Sequence, residues 1–346
     1  MREMYIKFAD VDDHWQLIDV RSPGEYRDGT IGDAINLPIF GDELREEVGT
    51  AYKRENVTEA KRRAVRAVSA QLPELYEHFL SIEATGAPIA MFCARGGMRS
   101  KSFASLLRAI GHDVYVIEGG YKSYRNHVLN ALRDLSESNR FIVLHGNTGV
   151  GKTLILNALS ENGLDVIDIE ALAHHRGSML GRVGLDPQPS QKTFEDRLYH
   201  GLSRIRSGDV FVEAESKRLG RVNIDDSILE AMRGGLHIFV DAPMAFREKE
   251  IVKEYTRIEG SKQELLEVLE KFRKHFGNQK VEQFISQIRE DQYEPVARAL
   301  MEGYYDPKYE FTSNQYQYDL KIWVESVEQA AEEILHWYKG LAVNTK

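Results

Sequence analysis

The first stretch of the chain alternates short apolar blocks with longer charged ones. Gln16–Val20 (QLIDV) is short and apolar enough to predict a strand, and Ile31–Pro38 (IGDAINLP) predicts a second strand that stops at its proline. Residues 42–85 are charged and read as mostly helical. Pro88–Cys93 (PIAMFC) predicts a buried strand ending at a cysteine. In Ser100–Ile110 the apolar residues Phe103, Leu106, Leu107 and Ile110 recur at helical spacing, and Val114–Ile117 (VYVI) predicts another strand closed by Gly119–Gly120. Strands alternating with helices imply a largely parallel sheet covered by helices. The polar stretch Leu135–Arg140 (LSESNR) then marks a boundary, giving domains at 1–135 and 136–346. The second domain opens on Phe141–His145 (FIVLH). Its later strands are expected at Val166–Ile169, Val210–Glu213, His237–Asp241 and Leu320–Val324, with helices over Lys262–His275 and Val281–Ile288.

Composition narrows the class. The 346 residues are 42% hydrophobic and 29% charged, ordinary for a globular protein with two cores. No apolar run reaches the length of a membrane span and the N-terminus lacks a signal-peptide pattern, so a cytoplasmic protein without membrane attachment is expected. The net charge of −9 argues against non-specific nucleic-acid binding. Local basic clusters remain at Lys61, Arg62, Arg63 and Arg66, and at Lys217, Arg218 and Arg221. Nothing in the pattern gives a reason to expect a dimer. The single cysteine excludes an internal disulfide and argues against a cysteine-based zinc site; no metal site is expected from the cysteine or the histidines.

That cysteine, Cys93, is the strongest chemical signal. It ends an apolar strand and is followed by Ala94-Arg95-Gly96-Gly97-Met98-Arg99-Ser100 and a helix. Backbone amides of such a loop, with the helix N-terminus, form an anion cradle and favour a thiolate. Gly96 and Gly97 supply backbone freedom, and Arg95 and Arg99 can donate to an oxyanion. An inert buried cysteine would not need two glycines and two arginines within the next six positions. The C-x5-R spacing leaves two substrate classes open: a phosphate ester, or an anionic sulfur or selenium donor.

Asp19-Val20-Arg21-Ser22-Pro23-Gly24-Glu25-Tyr26 resembles the first signature of the rhodanese family, and Ile31–Pro38 resembles the second. Thr30 stands where that family usually has histidine, and Gly32-Asp33 replaces Pro-Gly. The resemblance implies a rhodanese-like fold with Cys93 as its reactive centre.

Gly146-Asn147-Thr148-Gly149-Val150-Gly151-Lys152-Thr153 matches G-x-x-x-x-G-K-[ST] between a predicted strand and a predicted helix. Gly146, Gly149 and Gly151 shape a loop whose amides cradle a diphosphate, Lys152 neutralises it, and Thr153 is placed to accept Mg2+. Glu213, Glu215 and Asp241 are candidate strand-end carboxylates for a metal or water, and none is a clear Walker-B residue. The loop binds a diphosphate whatever carries it, so nucleotide hydrolysis does not follow.

The combined chain resembles the bacterial tRNA 2-selenouridine synthases. Asp168–Ser178 (DIEALAHHRGS), Gln188–Glu195 (QPSQKTFE), Glu213–Gly220 (EAESKRLG) and Gly119–Arg125 (GGYKSYR) carry the match. The resemblance implies an α/β protein with an N-terminal rhodanese-like parallel-sheet domain and a P-loop NTPase-like α/β domain. It implies two steps on wobble 2-thiouridine of tRNA. The thiocarbonyl sulfur attacks geranyl diphosphate, and selenium from selenophosphate then replaces the geranylthio group. The selenium would be delivered via Cys93, and Lys152 and Thr153 would hold the diphosphate. No tightly bound cofactor is expected, and a selenophosphate-supplying enzyme is a candidate partner. His175, Arg176, Gln191, Glu213, Glu215, Lys217 and Arg218 are candidate substrate or tRNA contacts. The loop chemistry also fits a rhodanese-type sulfurtransferase with a nucleotide-binding regulatory domain, or a C-x5-R phosphatase fused to a kinase-like domain.

Overall fold

The computed structural model describes residues 4–258, 260–313 and 316–344. It divides into two compact units, residues 1–130 and 131–346. The division falls inside a helix rather than in the polar stretch 135–140, because residues through Ser138 continue that helix.

The first unit carries β1 (Tyr5–Ile6), β2 (Gln16–Asp19), α1 (Pro23–Arg27), β3 (Ile35–Asn36), α2 (Asp42–Arg54), α3 (Val57–Glu83), β4 (Ile89–Phe92), α4 (Met98–Ala109), β5 (Val114–Ile117) and the start of α5 (Gly120–Ser138). Its five strands run in the order β1-β5-β4-β2-β3, with every pairing parallel. β4 is central and buried along its whole length, which is why it reads as a continuous apolar run rather than an alternation. The helix over residues 98–109 buries Phe103 and Leu107, whereas Leu106 and Ile110 are exposed. The charged stretch 42–85 forms two helices, and α3 passes through Pro73. Of its basic cluster, Arg63 is committed to Glu47, Glu55 and Glu59.

The second unit continues with β6 (Arg140–Gly146), α6 (Lys152–Glu161), α7 (Ile169–Ala173), α8 (Gln191–Ser203), β7 (Asp209–Glu213), β8 (Arg218–Leu219), β9 (Val222–Asn223), α9 (Asp226–Arg233) and β10 (Leu236–Asp241). A helical segment follows: α10 (Met244–Thr256), α11 (Ser261–Leu269), α12 (Arg273–Phe276), α13 (Asn278–Arg289), α14 (Tyr293–Leu300), a π-helical turn (Met301–Tyr305) and α15 (Asp306–Ser313). β11 (Leu320–Trp323) and α16 (Val327–Asn344) close the unit. The main sheet is parallel, in the order β11-β10-β6-β7. Its core packs Ile142, Leu144, Ile238 and Val240 against Ile155, Leu156, Leu159 and Ile334. The helical segment has a separate core around Leu269, Phe272, Val281 and Phe284.

Two expectations change. Val166–Ile169 is not a strand: Val166 makes one isolated bridge to Phe211, and Asp168 then caps α7 by accepting from the Ala171 amide at 2.8 Å. Lys262–His275 is not one helix but α11, a 3-10 turn and α12. Among the described residues, no helix is long and apolar enough to cross a membrane.

Candidate functional site

β4 delivers Cys93 to the carboxyl end of the first sheet, where crevices of parallel sheets form. The thiol is buried, with 4% of the residue exposed. Its Sγ accepts from the Gly97 amide and from the Ser100 hydroxyl, both at 3.3 Å. Burial opposes ionisation, but the Ser100 hydroxyl, the Ser100 and Arg95 amides and the Arg99 charge outweigh it and hold the thiol below its ordinary pKa. The loop is locked from behind. Tyr121 and Lys122, at the start of α5, donate their amides to the Cys93 and Ala94 carbonyls at 2.9 and 3.0 Å. This is possible because Gly96 and Gly120 interlock: both have left-handed φ, and a Cβ on Gly120 would overlap the Cys93 carbonyl and the Gly96 amide.

The two loop arginines differ. Arg95 is exposed. Arg99 is half-buried and donates to Glu25 at 2.6 and 3.1 Å. Glu25 also closes a capping box with Ser22 at the start of α1. Arg21 forms a buried pair with Asp19 at 2.6 Å and lies 3.9 Å from the centre of the Tyr121 ring. Thr30 donates to Asp19 at 2.8 Å, so the residue that departs from the rhodanese pattern still satisfies that network.

In the second unit, β6 runs into the phosphate loop, and Gly151, Lys152 and Thr153 lead into α6. Lys152 is half-buried and donates to the Gly146 carbonyl at 3.1 Å. Burial opposes its charge, but Tyr309, Glu213, Glu170 and Glu215 outweigh that and raise its pKa. Beneath the loop, Arg247 donates to the Thr148 carbonyl at 2.8 Å and to Asp306 at 2.5 and 3.0 Å.

Glu213 ends β7, beside the phosphate-loop strand, and meets Glu170 and Glu215: one ligand oxygen from each lies within 4.8 Å of the others. Glu170 shares a hydrogen bond with Glu215. Burial, then the neighbouring carboxylates, pushes all three upward, Glu215 to about 8. Asp241 is elsewhere, ending β10 with its carboxylate on the Ala242 amide at 2.9 Å.

Residues 139–342 match the tRNA 2-selenouridine synthase AAA domain, and residues 7–127 match the rhodanese-like domain. The chain belongs to the tRNA 2-selenouridine synthase family. Relatives bearing that name share 37% identity in Nitrosomonas europaea, over 69% of this chain and 63% of the relative. In Psychromonas ingrahamii the match is 29% over 95% and 94% of the two chains, and in Marinobacter nauticus 30% over 88% and 90%.

Several segments that carry the family resemblance are structural supports in this fold. Gln188 donates to the Ala173 and Leu219 carbonyls and accepts from the Arg221 amide. Gln191 donates to the Asn223 carbonyl and accepts from the Asn223 amide, both at 2.8 Å. The QPSQ segment thus clamps the β8–β9 hairpin. His175 is buried against Gly181 and Gly220, and Arg176 pairs with Glu254 at 2.5 Å. Lys217 pairs with Asp226 at 2.6 Å, and Arg218 donates to the Gly220 carbonyl. Sequence reasoning brought Glu213 and Glu215 together but missed Glu170, Ser100 and Arg247. Glu25 lay within a recognised signature, yet nothing in its spacing announced Arg99 as its partner.

Proposed function

We propose that this enzyme converts wobble 2-thiouridine of tRNA to 2-selenouridine in two steps, one at each loop. In the first, the thiocarbonyl sulfur attacks the C1 carbon of geranyl diphosphate and the C1–O bond breaks. The departing diphosphate gathers negative charge, which the phosphate-loop amides and Lys152 stabilise. In the second, the selenium of selenophosphate attacks C2 of the base and the C2–S bond breaks with loss of geranylthiol. The Cys93 thiolate attacks phosphorus, the P–Se bond breaks, and the phosphoryl group passes to Cys93 and then to water, with no change of oxidation state. Selenophosphate is a tetrahedral oxyanion of the kind the C-x5-R loop suits, with Arg95, Gly96, Gly97 and Arg99 on its path.

The observation that carries this reading is the Cys93 thiol at the head of the C-x5-R loop, accepting from the Gly97 amide and the Ser100 hydroxyl at 3.3 Å, in a chain of the tRNA 2-selenouridine synthase family. A selenophosphate-supplying enzyme is the donor partner in this scheme. Nucleoside mass spectrometry of tRNA tests the scheme. Cells lacking the protein should lack 2-selenouridine. Cys93→Ser should accumulate S-geranyl-2-thiouridine, and Lys152→Ala should impair its formation. Persistence of 2-selenouridine without the protein would refute the function, and loss of selenation alone in both variants would refute the division of labour.

A further inference from the structure

A single lysine charge, that of Lys152, bears on the three carboxylates beside the phosphate loop and is too little to balance them. Glu213 is 2% exposed, and its Oε1 has no hydrogen-bond partner among the described residues. Such an atom, buried with two further carboxyl groups within ligand distance, is costly unless something binds it. The nearby cations make their hydrogen bonds to other groups. Lys152 donates to the Gly146 carbonyl, and Arg176 is held by Glu254 and the Val183 carbonyl. The opening is also small. Gly177 closes over the cluster so tightly that a Cβ there would lie 2.9 Å from a Glu170 oxygen and 3.0 Å from both Glu215 oxygens.

We propose that Glu170, Glu213 and Glu215 bind a divalent cation of the hard, oxygen-preferring class of Mg2+ and Mn2+. Three carboxylate oxygens on rigid supports suit such an ion, and the absence of nitrogen and sulfur donors in the set disfavours zinc. β7 supplies Glu213, the turn after it supplies Glu215, and α7 supplies Glu170. The ion neutralises the cluster and adds positive charge beside Lys152, where the diphosphate reading of the loop requires it.

The rival occupant is protons alone, leaving a cluster of carboxylic acids. Titration of the chelator-treated full chain with Mn2+, followed by electron paramagnetic resonance of the free ion, separates the two. The expected result is one Mn2+ bound per chain. Affinity should weaken by about tenfold or more in Glu213→Gln and in Glu215→Gln. It should be unchanged in Glu290→Gln, which alters an exposed carboxylate at the end of α13. No bound Mn2+ up to millimolar concentration, or equal affinity in the wild type and the cluster variants, would overturn the proposal. Circular dichroism checks each fold, and Glu170→Gln replaces any variant that fails it. The titration contains neither tRNA nor isoprenoid, so its failure and the failure of the two-step reaction are separately visible.

Discussion

Arg99 reaches back across the first unit to Glu25, donating two hydrogen bonds at 2.6 and 3.1 Å. The pair fixes the last residue of the C-x5-R motif to the first turn of α1, so the anion loop is braced by a signature far from it in sequence. Burial pushes the Glu25 carboxyl up, but the Arg99 bond and charge prevail and hold its pKa below the ordinary value. A carboxylate depressed in the folded state contributes stability above its unfolded pKa and loses it as pH falls through the folded one. Glu25→Gln should therefore lower stability by about 1–3 kcal/mol at neutral pH. The deficit should shrink in acid. Urea denaturation at several pH values measures both.

Ser100 governs the thiolate. Its hydroxyl and amide are the leading stabilisers of ionised Cys93, acting against burial. Ser100→Ala removes the hydroxyl bond and leaves the Gly97 amide in place. The thiol pKa should rise. Below that pKa, iodoacetamide alkylation should slow by about tenfold for a shift of one unit, and its pH profile should move to higher pH. An unshifted profile would remove Ser100 from the account.

How far the sequence reveals this molecule depends on whether a feature is local. β4 and β6 were legible because a strand buried on both faces has to be apolar throughout. The same logic misread Val166–Ile169, where Asp168 turns the chain into α7 by capping it. The two loops were legible because each is a contiguous run. Glu170 was not, since α7 and β7 meet only through the fold. Gln188 and Gln191 stood out as a motif, but their job of holding a hairpin depends on backbone atoms that no residue pattern names.

Gly120 is the tightest steric constraint behind Cys93. Its left-handed backbone and its overlap with two backbone groups leave no room for a methyl group. Gly120→Ala should displace the cysteine loop. It should cost about 1–3 kcal/mol from the backbone conformation alone, and more from the overlap. Alkylation of Cys93 should accelerate as the thiol loses cover, while a change confined to stability would show that the loop adapts. Gly97→Ala, where a Cβ meets nothing within 4 Å and φ is −95°, should be far milder.

Arg247 links the phosphate loop to the helical segment. It is 4% exposed, and one guanidinium serves both the Thr148 carbonyl and the Asp306 carboxylate. Arg247→Ala strands that half-buried carboxylate and should cost about 3–5 kcal/mol. Arg247→Lys keeps the charge, but a single ammonium cannot reproduce the planar fork. It should recover only part of the stability and still loosen the loop. Binding of inorganic pyrophosphate, measured by calorimetry, should therefore weaken in the lysine variant even where it remains folded. A double-mutant cycle with Asp306→Ala should return a coupling energy of about 1 kcal/mol or more. A cycle near zero, with pyrophosphate affinity intact, would show that the loop holds its shape without this bridge.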